Sequence, residues 1–391
     1  MKKTWRWFGP SDKISLEMLR QIGVEGIVTA LHDIPSGEVW PVERIDSLKR
    51  LIESHGMYWA VVESLPVSEQ IKYAGPDTER LLANYRQSLE NLGRCGIKTV
   101  CYNFMPVIDW ARTDLDHLMP DGTRALYFDY ARFAYFDIYI LEREGARDDY
   151  PQDVLARADA LRGNISPEEE AGLIDSIIIK TQGFVNGPMG SGDGSPVQKF
   201  KALMEPYKGV PKDQLRQNLK RFLEAVMPVC REWDINMCIH PDDPPMPVFG
   251  MPRIACNAED IRWMLDAVPD PHNGLTFCAG SLSAGAHNDV TAMAKEFASR
   301  THFVHMRSCA LLPGGNFVEA SHTGGRADLV ELTRIFEDCR PDLPARVDHG
   351  REMLGDGDKG YNPGYSFHGR MLALGQLDGM IAAVRAEKNR K

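Results

Sequence analysis

The chain has 391 residues, 43% of them hydrophobic and 26% charged, which excludes a disordered protein. Its formal net charge of −10 argues against nucleic acid as a partner, because a basic face supplies most of that affinity. No apolar run approaches the ~20 residues that span a bilayer, so no membrane association is expected. The opening "MKKTWRWFGPSDK" lacks the apolar stretch of a secretory signal, and eight cysteines without a CxxC pair read as reduced thiols. A cytoplasmic protein is expected, in which any special cysteine is a ligand or a nucleophile.

Short apolar runs rich in β-branched residues alternate with amphipathic helical patterns along the chain. "TWRWFG" (4–9) comes first, then a stripe of Ile14, Met18 and Ile22 behind a Ser11/Asp12 cap. "GIVTAL" (26–31) precedes Ile45, Leu48 and Ile52, and "YWAVVES" (58–64) precedes Leu82, Tyr85 and Leu89. "TVCYNF" (99–104) is the fourth strand, and its helix, with Leu215, Leu219, Phe222 and Val226, arrives only after a long interruption. "NMCIHP" (236–241), "GLTFCAG" (274–280), "HFVHMR" (302–307) and "ARVDHG" (345–350) follow. Their stripes are Ile261, Leu265 and Val268 behind Asn257, a weaker one around Met293 and Phe297, then Leu329, Leu332 and Phe336, and finally Met371, Leu374, Leu377 and Ile381.

Eight strands alternating with about eight helices is the count of an α/β, (β/α)8 TIM barrel, whose typical size is about 250 residues. The excess is expected in one place, residues 107–210, an insertion after strand 4 with a hairpin at "MPDGTRALYF", charged helices and a glycine-rich flap at "GFVNGPMGSGDGSP". Residues 1–391 thus read as a single barrel domain, with a two-domain doubly wound fold as the alternative.

Strands five to eight close on good metal ligands: His240, Cys278, His305 and Asp348. The steps between them (240 to 278, 278 to 305, 305 to 348) each fit one βα unit, which brings the four ends to the C-terminal mouth where barrel enzymes do their chemistry. Singly, a strand-end histidine or aspartate more often caps a helix, and a strand cysteine more often fills space. Together, two imidazoles, a thiolate and a carboxylate suit Fe²⁺, Mn²⁺ or Zn²⁺ and poorly suit oxygen-loving Mg²⁺ or Ca²⁺.

Arg307 shares the face of His305, so its fork either holds a substrate carboxylate or pairs internally with an acid such as Asp348. Asp348 and His349 are adjacent, and alternation would separate them; Gly350 is expected to end the strand and swing His349 over the rim. Trp7, His32, Glu63 and Asn103 are further strand-end candidates for lining a polyol pocket, with packing, loop bonding and ion pairing as the plainer readings.

"FGPSD", "IHPDDPP", "LTFCAGS", "FVHMRS", "RVDHG" and "NPGYSFHGR" together resemble the bacterial mannonate dehydratases of the metal-dependent, xylose isomerase-like type, over nearly the whole chain. The resemblance implies dehydration of D-mannonate to 2-dehydro-3-deoxy-D-gluconate in hexuronate (glucuronate) catabolism, with Mn²⁺ or Fe²⁺ bound. It implies His240, Cys278, His305 and Asp348 as ligands, His349 and Tyr365 as the acid/base pair, and a homo-oligomer. Tyrosine starts as an acid unless a cation lowers it, and Tyr365 near the metal is read as the base, with His349 as proton donor. A metal-dependent sugar isomerase and a non-catalytic sugar-acid binding protein on the same barrel are the alternatives.

Overall fold

A computed structural model of the chain describes residues 1–182 and 195–390. Its strands, in chain order, are β1 (Lys2–Arg6), β2 (Gly26–Thr29), β3 (Tyr58–Glu63), β4 (Thr99–Tyr102), β5 (Asp114–Leu118), β6 (Arg124–Phe128), β7 (Asn236–Ile239), β8 (Asn273–Cys278), β9 (Thr301–His305), β10 (Cys309–Leu312), β11 (Asn316–Glu319) and β12 (Pro344–Arg346). Eight of them, β1, β2, β3, β4, β7, β8, β9 and β12, pair in parallel and close into a barrel in that order. Closure rules out the doubly wound alternative, whose sheet has two open edges.

Alternation along the strands divides the core in two. Val100, Met237, Leu275 and Val304 face outward into the large core shared with the helices, whereas Val28, Ala60, Cys101, Cys238 and Phe303 cluster separately within the barrel. The helix Leu16–Gln21 starts behind Ser15, whose side chain accepts from the Met18 N–H, and not behind Ser11/Asp12, because Asp12 is taken by the Phe8 and Ile14 N–H groups. The closing helix Phe367–Lys388 buries Leu374, Leu377 and Ile381 against the barrel.

Between β4 and β7 the chain leaves the barrel. β5 and β6 form an antiparallel hairpin, and β6 pairs with β11, giving a second sheet in the order β10-β11-β6-β5. The β10–β11 half was not anticipated, although Pro313-Gly314-Gly315 between two apolar runs is a hairpin signal. The helices Tyr130–Tyr135, Gln152–Leu161, Pro167–Ile174 and Pro196–Met204 bury Phe133, Val154, Leu173 and Phe200 in a core of their own. Most of the glycine-rich flap expected there lies outside the described residues. Among the described residues no helix is long and apolar enough to cross a membrane.

Candidate active site

The inward set of each strand carries the chemistry to the barrel mouth. Cys238 faces the interior, so the side chain two residues on, His240, faces the mouth; Thr276 and Cys278 repeat this on β8, and Phe303 and His305 on β9. Adjacent strands in register therefore bring three donors together: the ligand atoms of His240, Cys278 and His305 all lie within 4.8 Å of one another. His240 Nδ1 lies 2.7 Å from the Pro241 carbonyl and donates to it, which leaves Nε2 for the cluster. His305 turns Nδ1 inward and its Nε2 toward Arg346 Nε (3.0 Å) and Glu63 Oε1 (3.4 Å).

Asp348 Oδ2 stands 3.5 Å from His305 Nδ1 and 3.8 Å from Cys278 Sγ. The expected turn is found two positions earlier than Gly350: Asp348 itself takes φ +58°. Gly350 serves a different need, because a Cβ there would come within 3.0 Å of the Arg370 backbone nitrogen. With the strand ended at Arg346, Asp348 and His349 both line the same cleft.

Burial alone would push the Cys278 thiol up, but the Arg307 guanidinium and the His240 imidazole hold it well below the usual thiol range. A thiolate facing two imidazole nitrogens is a donor set that fits a borderline divalent cation.

Arg307 is not a free clamp for a substrate carboxylate. Nε pairs with Asp348, Nη1 with Glu319 at 2.9 Å, and Nη2 with Asp243 at 2.6 Å and Ser281 at 3.0 Å. Arg112 adds Nη1 to Asp243 at 2.7 Å and Nη2 to Glu319 at 2.7 Å. Two fully buried arginines surrounded by three carboxylates compensate one another, and the fork geometry leaves Arg307 no donor for a ligand. The second aspartate of "HPDDPP" thus receives both arginines, whose charge holds Asp243 far below the usual carboxylate range against the opposing effect of burial.

Trp7 also departs from expectation. Arg6 and Phe8 line the cleft, so alternation turns Trp7 the other way, where it is buried in the main core and donates its indole N–H to the Ile14 carbonyl at 3.1 Å. His32 lies three residues past the end of β2, exposed to solvent at 6.0 Å from the Phe8 ring, and is not part of the cleft wall. Asn103 and Glu63 do line it. Burial opposes ionisation of Glu63, yet Arg346 (2.8 Å), with His305 and Arg6, holds its carboxyl at about 2.

His349 and Tyr365 meet edge to face at 5.0 Å between ring centroids, and Trp110 packs on His349 at 5.3 Å. His349 Nδ1 lies 3.3 Å from Glu319 Oε1 on β11, so the second sheet reaches over the barrel to orient this ring. Burial and the Asp348 carboxylate push the Tyr365 hydroxyl up, with Arg346 and Arg6 pulling the other way. Sequence reasoning missed Arg6, Asp109, Trp110, Arg112, Glu319 and Arg346. Arg6 and Arg346 sit at strand ends and share the positional signal of the ligands, whereas the others lie in loops or on β11 and carry none.

A family model described as D-mannonate dehydratase (UxuA) matches residues 1–391. The chain is 45% identical over 396 residues to the mannonate dehydratase of Marinomonas sp. (strain MWYL1), covering 99% of this chain and 100% of that one. It is 44% identical over 394 residues to that of Chromohalobacter salexigens, covering 98% and 99%. The crystal structure of mannonate dehydratase from Streptococcus suis serotype 2 superposes with a TM-score of 0.78 at 32% identity, covering 100% of this chain and 95% of that one.

Proposed function

Because this chain belongs to the D-mannonate dehydratase family, and is therefore a hydro-lyase, we propose that it removes water from D-mannonate at the barrel mouth, giving 2-dehydro-3-deoxy-D-gluconate. The observation that carries the site assignment is the convergence of His240, Cys278 and His305 within 4.8 Å, with Asp348 at 3.5 Å from His305 and the His349–Tyr365 pair beside it.

His240, Cys278, His305 and Asp348 would hold the metal; the donor set suits a borderline divalent cation, and the family resemblance narrows the choice to Mn²⁺ or Fe²⁺. When bound, the cation would supply positive charge against the carboxylate end of the substrate and against a tyrosinate at position 365. Tyr365 takes the proton from C2. His349 gives a proton to the C3 hydroxyl, which departs as water. Glu319 accepts from His349 Nδ1–H and leaves Nε2 for the cleft; burial opposes its ionisation, but Arg307, His349 and Arg112 hold its carboxyl at about 2. Phe8 and Trp110 wall the cleft with apolar surface and limit the access of bulk water. A cytoplasmic location and a homo-oligomeric assembly complete the reading, the second checked by size-exclusion chromatography with light scattering.

The test is turnover by anaerobically purified, metal-stripped protein reloaded with Mn²⁺ or Fe²⁺. A 3-deoxy-2-keto acid should form from D-mannonate and not from D-altronate or D-gluconate. Absence of product from all three would remove the catalytic reading and leave a binding protein; an isomerised sugar in its place would favour an isomerase.

A further inference from the structure

Asp109 presents the cleft with a carboxylate oxygen that no other described residue bonds. The side chain is only 8% exposed; Oδ2 accepts from Asn103 Nδ2 at 2.6 Å, and Oδ1 is buried without a hydrogen-bond partner among the described residues. Buried acceptors are rarely left unmet, and one at a cleft wall calls for a partner such as water, an ion or a ligand group. Burial pushes this carboxyl up, with Lys72 and the Asn103 bond opposing it, as fits an acceptor awaiting a donor.

The segment that carries Asp109 is fixed on both sides. The Val107 N–H donates to Glu69 Oε2 at 3.1 Å, the Ile108 carbonyl accepts from Arg253 Nη2 at 2.7 Å, and the Ala111 N–H donates to the Asp243 carbonyl at 3.1 Å. A carboxylate held this firmly is pre-organised for a ligand. It also lies beside the chemistry, since the next residue, Trp110, packs on His349.

We infer that Asp109 is a specificity-determining residue, whose Oδ1 accepts a hydrogen bond from one of the substrate hydroxyls on C4 to C6. This rests on the dehydration of D-mannonate proposed above. With the carboxylate end of the sugar acid at the His240, Cys278 and His305 cluster, the remaining polyol extends along the cleft, where among the described residues Asp109 Oδ1 is a buried acceptor with neither a hydrogen bond nor an ion pair, whereas Glu63 Oε2 and Asp348 Oδ1 are ion-paired to Arg6 and Arg346. A site built to bond a hydroxyl rejects the analogue lacking it, because its own polar group is then left unpaired.

The experiment is a substrate–mutant cycle on the full-length, Mn²⁺-loaded enzyme. kcat/KM is measured for the wild type and Asp109→Ala on D-mannonate and its 4-, 5- and 6-deoxy analogues. The wild type should disfavour one analogue by about tenfold to a hundredfold. Asp109→Ala should lose about the same factor on D-mannonate, mostly through KM, and treat that analogue as the wild type does. Should the alanine variant fail to fold, the cycle is read in Asp109→Asn, where the same discrimination must shrink. An equal loss on all four substrates, or none, overturns the inference. Wild-type protein inactive on D-mannonate overturns the underlying reading and this inference with it, and is told apart by that single measurement.

Discussion

His240 Nε2 faces His305 Nδ1 across 3.3 Å, from the ends of two strands separated by β8, and Cys278 on β8 itself completes the trio. Two imidazole nitrogens this close hold either a shared proton or a cation between them. Replacing the thiolate by a hydroxyl, Cys278→Ser, should lower bound Mn²⁺ or Fe²⁺ by about tenfold or more and turnover in proportion. Metal analysis of the purified variant checks this; full metal content with full activity would remove Cys278 from the ligand set.

Exhaustive chelation should abolish turnover, and Mn²⁺ should restore it. Protein that keeps its rate after the chelator has stripped it to below one metal per ten chains would contradict a metal-dependent reaction.

His349→Gln and Tyr365→Phe should each lower kcat by about a hundredfold to ten-thousandfold while metal content and melting temperature stay near the wild-type values. The two rings touch each other and share one cleft, so the double variant should lose little beyond the worse single variant. Strictly multiplicative losses would mean that they act independently, in separate steps.

Arg307→Met should behave as a folding defect more than a binding one. Removing this guanidinium leaves Asp348, Asp243 and Glu319 around an uncompensated negative charge, with Arg112 and Arg346 as the remaining cations. A loss of about 3–5 kcal/mol is expected in urea unfolding. A stable variant with a raised KM alone would restore Arg307 as the carboxylate clamp.

At the opposite end of β9, His302 gives the fold a pH dependence. The ring is buried at 5% exposure, donates Nε2–H to the Pro271 carbonyl at 3.1 Å and accepts from Arg340 Nη1 at 2.8 Å through Nδ1. Burial, with Arg340 second, lowers it from 6.5 to about 3. Between those values the unfolded chain binds the extra proton, so the stability from this site is intact above pH 6.5 and declines as pH falls toward 3. The slope is about 1.4 kcal/mol per pH unit at most. His302→Gln should flatten that part of the stability curve measured by urea unfolding; an unchanged slope would mean that the ring is already charged in the folded state.

The sequence by itself determined the barrel and which of its strand ends carry the candidate metal ligands. Apolar runs, helical stripes and the intervals between 240, 278, 305 and 348 are local signals, and a parallel barrel turns equal strand positions into spatial neighbours. Only the tertiary structure decided which charges meet. Arg307 takes its partners from positions 243, 319 and 348, Glu319 reaches His349 from a hairpin outside the barrel, and the turn at Asp348 lets two consecutive side chains enter one cleft. Periodicity fixes the face a side chain occupies. Ion pairs between distant segments have no period, so their partners emerge only when the sheets close and pack.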